Sequence, residues 1–258
     1  MKNGETFRLC RKNLKTALRY PYYITSIPCW PRIRIRVTPR ERKIKDKKMF
    51  GELKESFAYV TGFPPMKYVV LLLALVSLVG MPYSVLMPVV AGEVLGGGSS
   101  TFGFLMAASG AGAFTAALYL ASRRTAHGLQ RLIPGAAALF GAGLIALALS
   151  RLFPLSLFFM LFTGMGMMLQ MASSNTLLQT LTTDEMRGRV MSYYTLAFMG
   201  TAPFGSLLAG SLAKWMGASH TILAGGIVCI LGALIYRRKL PLLEKAMAAG
   251  ANLSRHRT

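Results

Sequence analysis

From Tyr68 to Tyr236 the chain alternates long apolar runs with short polar breaks. The runs cover about Tyr68–Ala91, Phe102–Ala121, Leu132–Ser150, Leu155–Leu178, Val190–Trp215 and Thr221–Tyr236, the last being the shortest. A bilayer core needs about 20 mostly apolar residues per helix, so the pattern predicts six transmembrane helices. Glycines and polar residues punctuate the runs: AGEVLGGGSS, SRRTAHGLQR, RLFP, TTDEMRGR and KWMGASH. Each break is short enough to join antiparallel neighbours. The predicted fold class is an all-α membrane protein: a basic arm at 1–50, an amphipathic lead-in at 51–66, a six-helix bundle at 67–236 and a basic tail at 237–258.

Charge orients the predicted bundle. The formal net charge is +21, but 17 of the 30 lysines and arginines precede Tyr68. Between the runs, Arg123, Arg124, Arg131, Arg187 and Arg189 fall on the same side as the arm and tail, whereas Arg151 and Lys214 face them. Loops retained in the cytoplasm carry the Lys and Arg excess, so both termini are expected there, in the cytoplasmic membrane, with the flanking charge against anionic lipid. Charge confined to the flanks of an apolar block argues against nucleic acid as a partner.

Composition agrees: 53% of residues are hydrophobic and 15% charged, with a mean hydropathy of +0.45. Cys10, Cys29 and Cys229 lack paired spacing, so neither a disulfide framework nor a zinc site is expected. The first 30 residues contain no uninterrupted apolar core of a signal peptide, since Pro21 and Pro28, with Pro31 directly after, interrupt the most apolar stretch. HExxH, GxSxG and GxxxxGK[ST] patterns are absent, and His127, His220 and His256 lie at or beyond the ends of runs. No enzyme chemistry, metal or cofactor is expected.

Small residues mark predicted helix contacts, because membrane helices associate through close backbone approach. Gly103, Ala107 and Ala111 recur every four residues in the second run, and Gly200, Pro203 and Gly205 stand together in GTAPFGSLLAG in the fifth. Such surfaces suit static packing and sliding equally. Pro82, Pro88 and Pro203 fall inside runs, where each removes a backbone hydrogen bond and favours a kink.

No Asp, Glu, His or Lys lies inside the runs away from their ends, so no proton relay is expected. Polar groups concentrate instead in MLQMASSNTLLQT of the fourth run. Asn175 and Gln179 share a helical face with Met171, and Ser174 is adjacent. That face is expected to look inward, where its amides either bond neighbouring helices or line a watery cavity. Tyr83, Tyr193 and Tyr194 offer further polar handles. Met160, Met165, Met167, Met168 and Met171 form a cluster without Cys or His, which suits adaptable packing better than copper. In LTTDEMRGRVMS, Arg187 and Arg189 anchor the turn by charge, while Thr182 and Glu185 fit a capping box with Asp184 beside the new helix's positive end.

Several stretches resemble the carboxy-terminal half of a major facilitator superfamily permease of the enterobactin-exporter-like efflux branch: ELKESFAYVTGFPPMKY, MPYSVLMPVVAGEVLGG, GFLMAASGAGAFTAALYLASR and, most specifically, MASSNTLLQTLTTDEMRGRVMSYYTLAFMGTAPFGSLLAG. The resemblance runs from about Thr38 to Tyr236. It implies a twelve-helix transporter of two six-helix halves around a central site with alternating access, of which this chain supplies one half. The residues before Thr38 contain no span, which points to a truncated or frame-shifted reading frame. The resemblance further implies a small-molecule substrate, siderophore or amphipathic drug, and a cytoplasmic gate that includes Asp184, Arg187 and Arg189. SRRTAHGLQR keeps the basic part of a gate signature without its acid, and GTAPFGSLLAG is a loose copy of an antiporter pattern. A second half-chain or a second copy would be needed to complete the bundle. A non-transporting membrane remnant, or a membrane protein that binds lipid or a partner through its arm, is the alternative reading.

Overall fold

The computed structural model describes residues 57–123 and 128–255, with side chains as far as Glu244. The arm at 1–50, residues 51–56 of the lead-in, Arg124, His127, His256 and Arg257 lie outside the described residues, as do the side chains of Lys245 and Arg255. Six helical segments are long and apolar enough to cross a membrane: Pro64–Val94, Ser99–Ser122, Leu129–Leu149, Phe153–Leu181, Asp184–Met216 and Ala218–Glu244. They are called here the first to sixth spans. No strand occurs among the described residues. The protein is an all-α membrane protein.

Local chemistry sets the ends. Pro64 opens the first span, where a missing N–H costs nothing. Gly96, Gly128 and Gly217 have positive φ and turn the chain between spans, a conformation that a side chain would strain. The largest departure from the hydrophobic pattern is the sixth helix, expected to be the shortest. It runs from Ala218 to Arg255, 38 residues. RRKLPLLEK is polar enough to end an apolar run but, Pro241 apart, is made of good helix formers. Leu243, 1% exposed, ties this extension to the bundle.

The core lies among the first, third, fourth and sixth spans. Phe140 is fully buried at its centre, with Leu73, Leu144, Leu147, Met160 and Leu178 also buried there. The second span packs on the fourth. The fifth reaches the first through Gly205, and both the second and fifth remain largely exposed.

Close approach is achieved by glycines, though mostly not those of the predicted stripes. A Cβ on Gly112 would collide with the Leu161 carbonyl oxygen, and one on Gly164 with that of Ser109, so the second and fourth spans touch backbone to backbone. The third and sixth meet in the same way, a Cβ on Gly141 standing 2.6 Å from the Gly226 carbonyl oxygen and one on Gly226 standing 2.7 Å from that of Gly141. Gly103, Ala107 and Ala111 are exposed within this unit, and no atom would lie within 4 Å of a Cβ on Gly103. The second span is rotated so that Leu105, Gly112 and Ala116 face inward instead.

The first and fifth spans are interrupted, and their interruptions meet. In the first, a π-helical segment at Val76–Gly80 precedes Pro82, and a second at Val90–Val94 follows Pro88. The fifth breaks between Met199 and Ala202, with Pro203 in the first turn of the new helix. Prolines therefore coincide with every interruption, as expected of residues that cannot donate to the helix ladder. Ser77, fully buried, donates its hydroxyl to the Phe198 carbonyl across this contact. Gly205 lies against the Leu78 carbonyl, which Pro82 has no N–H to satisfy, and a Cβ at Gly205 would strike that oxygen. Gly200 lies within its own helix turn against Leu196, and Pro203 is exposed.

Candidate functional site

The polar stretch of the fourth span divides between two faces. Gln170, Ser173, Ser174, Leu177 and Leu178 are buried, so Ser174 belongs to the closed face. Met171 and Asn175 are half-buried and Gln179 is exposed, so the predicted stripe follows the open edge of the bundle. Its members do come together. The Gln179 amide donates to Asn175 Oδ1, one turn away. Tyr194 of the fifth span donates its hydroxyl to the Met171 carbonyl at 3.1 Å. Spacing pointed to the amide stripe, but Tyr194 was visible only as one of several tyrosines, because nothing local in the sequence shows which phenol reaches the fourth span.

Tyr83 lies elsewhere. It is buried in the first span, its hydroxyl 3.4 Å from Ser109 Oγ and its ring edge-on to Phe140 at 6.0 Å. It braces the first span against the second and third rather than joining Asn175.

The predicted gate residues occupy the turn between the fourth and fifth spans. Asp184 and Arg187 pair with each other at 2.9 Å, one helical turn apart and largely exposed. Exposed pairs of this kind contribute about 0.3–0.5 kcal/mol. Arg189 reaches the Met186 sulfur at 3.9 Å. The capping box does not form. The helix begins one residue later than it requires, after Thr183, and the Thr182 hydroxyl donates back to the Leu178 carbonyl at 2.6 Å.

A second ion pair at this end, not anticipated, joins two elements far apart in sequence. Arg131 at the start of the third span donates twice to Glu244 of the sixth-helix extension, at 2.6 and 3.1 Å. Phe57 of the lead-in stands edge-on to Tyr193, with centroids 6.0 Å apart.

The open site is thus uncharged. Asn175, Gln179, the Tyr194 phenol and the flexible thioether of Met171 present hydrogen-bonding groups beside apolar surface. Among the described residues, Asp, Glu and His side chains stand only in the first or last turns of the spans: Glu93, Asp184, Glu185, His220 and Glu244. No group of three or more His, Cys, Asp or Glu side chains that could hold a metal ion occurs among them.

Six apolar helices, packed through glycines and carrying an uncharged polar site at the edge of the bundle, define a multi-pass integral membrane protein. The family described as transmembrane secretion effector matches residues 16–256, and the chain belongs to it. It is a transporter of the major facilitator type. The match takes in residues 16–37, which the resemblance drawn from the sequence had left out. A comparison with curated proteins found no match.

Proposed function

We propose that this chain is one six-helix half of an efflux permease of the enterobactin-exporter-like branch, exporting siderophores or amphipathic drugs, and that the Met171–Asn175–Gln179–Tyr194 face forms part of its substrate cavity. The observation behind this reading is the position of the amides. Gln179 is exposed and Asn175 half-exposed at the edge of a membrane bundle, where contact with lipid would leave their remaining donors and acceptors unmet at a cost of about 1–3 kcal/mol each. A water-filled cavity closed by another six-helix unit removes that cost. The exposed stripe Gly103, Ala107 and Ala111 is well suited to the close approach of such a unit.

The proposed location is the cytoplasmic membrane with both termini cytoplasmic, following the basic side chains at the Arg131–Glu244 end. There Asp184, Arg187 and Arg189 act as a topological anchor and as part of a cytoplasmic gate. The other six-helix unit of the bundle also supplies the coupling, since the described spans hold no acid away from their ends.

Export of a siderophore or a fluorescent dye from an efflux-deficient host tests this reading. The chain is expressed alone, then with a separately supplied amino-terminal half. Export only in the presence of the second half, or export by the chain alone together with self-association, is the expected result. Export in neither condition would leave a non-transporting remnant.

A further inference from the structure

Hydroxyl groups on the helices of this protein usually turn back onto their own backbone. Thr163 donates to the Phe159 carbonyl, Thr180 to Thr176, Ser192 to Gly188, Thr195 to Met191, Ser206 to Ala202 and Thr221 to Gly217. Ser173 and Ser174 do not. Both are completely buried and neither hydroxyl has a partner. Gln170, 1% exposed, likewise has an unpartnered Nε2.

The three residues are spaced i, i+3 and i+4, so they share one face of the fourth span. Gly166, one turn earlier on that face, packs so closely on the third span that a Cβ there would lie 2.5 Å from the Phe140 nitrogen and 2.9 Å from the Ala136 carbonyl oxygen. Three unmet polar groups therefore cluster on a face that packs against the third span. This face is separate from the open one bearing Asn175 and Gln179.

The chemistry of the three atoms limits what they bind. Each can donate a hydrogen bond, so the ligand must accept, and full burial of all three requires it to be small. An anion would lack a counter-charge, because the basic side chains of the described spans stand in their end regions. Water meets every requirement: its oxygen accepts from the Gln170 amide and one serine hydroxyl, and one of its own hydrogens goes to the oxygen of the other serine. Buried water typically makes about three such bonds to otherwise unmet groups. We propose that Gln170, Ser173 and Ser174 hold a buried water molecule between the fourth and third spans. The polar stretch of the fourth span is then hydrated on its closed face, and its contact with the third span is bridged rather than direct.

Thermal unfolding of the protein in detergent, comparing wild type with Gln170→Met and Ser174→Ala, tests the site. Methionine keeps the length of glutamine without its amide. If the amide holds water, Gln170→Met lowers Tm by several degrees, and by the same amount when chloride is replaced by gluconate. An unchanged or raised Tm would show a merely unpaired amide, whose removal stabilises, and would overturn the proposal. A loss seen only in chloride would identify an anion and would also overturn it. Should the variants not fold, X-ray hydroxyl-radical footprinting of the wild type decides. Leu177, one turn further along this face, is labelled at least a few-fold above the similarly buried Leu144 and Leu147 if water is present. Equal labelling would contradict the site.

Discussion

The Ser77 hydroxyl donates to the backbone carbonyl of Phe198, joining the π-helical segment of the first span to the break in the fifth. Two interrupted stretches of backbone are thus held against each other. Thr201 helps on the fifth-span side, where its hydroxyl donates to the Ala197 carbonyl at 2.8 Å. Truncating Ser77 to alanine takes one of two side-chain donors from a part-buried carbonyl and is expected to destabilise by about 1 kcal/mol. Gly205→Ala forces a methyl group onto the Leu78 carbonyl and is expected to lose more, about 1–3 kcal/mol. Denaturant unfolding of the purified variants checks both values, and a fully stable Gly205→Ala would refute the contact.

Glycines of the second span should divide in two. Gly112→Ala collides with the backbone at Leu161 and is expected to reduce stability by about 1–3 kcal/mol. Gly103→Ala meets nothing within 4 Å and should leave the six-helix unit unharmed, or stabilise it by up to about 1 kcal/mol. If a second unit packs on the Gly103 face, the same alanine lowers export and the yield of the assembled complex while folding is preserved. Comparing unfolding with co-purification of the second half separates the two effects.

Arg131 and Glu244 should behave as a surface latch sensitive to salt. Arg131→Glu places two acids together and should lower Tm at low ionic strength, and adding Glu244→Arg should restore it. In about 1 M salt, where screening acts over roughly 3 Å, the difference between the variants should largely disappear. A loss that persists in high salt would mean that the pair acts through packing instead.

How much of this was legible in the sequence varied with the physical signal involved. The six spans follow from length and hydropathy, which the bilayer imposes along the chain itself. The prolines marked the interruptions because proline cannot donate wherever it stands. The sixth helix was misjudged because hydropathy reports what enters lipid, and a helix that leaves the membrane through RRKLPLLEK need not stop there. Small-residue spacing found a smooth face but not its rotation: Gly103, Ala107 and Ala111 form a perfect four-residue repeat, yet Gly112 makes the contact. Ser77 with Phe198, and Arg131 with Glu244, join residues more than a hundred positions apart. No local pattern encodes such pairs.

The amide face gives the most direct test. Asn175→Leu and Gln179→Leu, alone and combined, remove groups that bond each other near the open edge, so folded yield should fall little. Export by the complete two-half system, normalised to folded protein in the membrane, is the decisive measurement. A loss of at least tenfold in the double variant, with yield preserved, is the result expected of a substrate cavity. Full export by the double variant, or a collapse of folded yield that accounts for the whole loss, would contradict it.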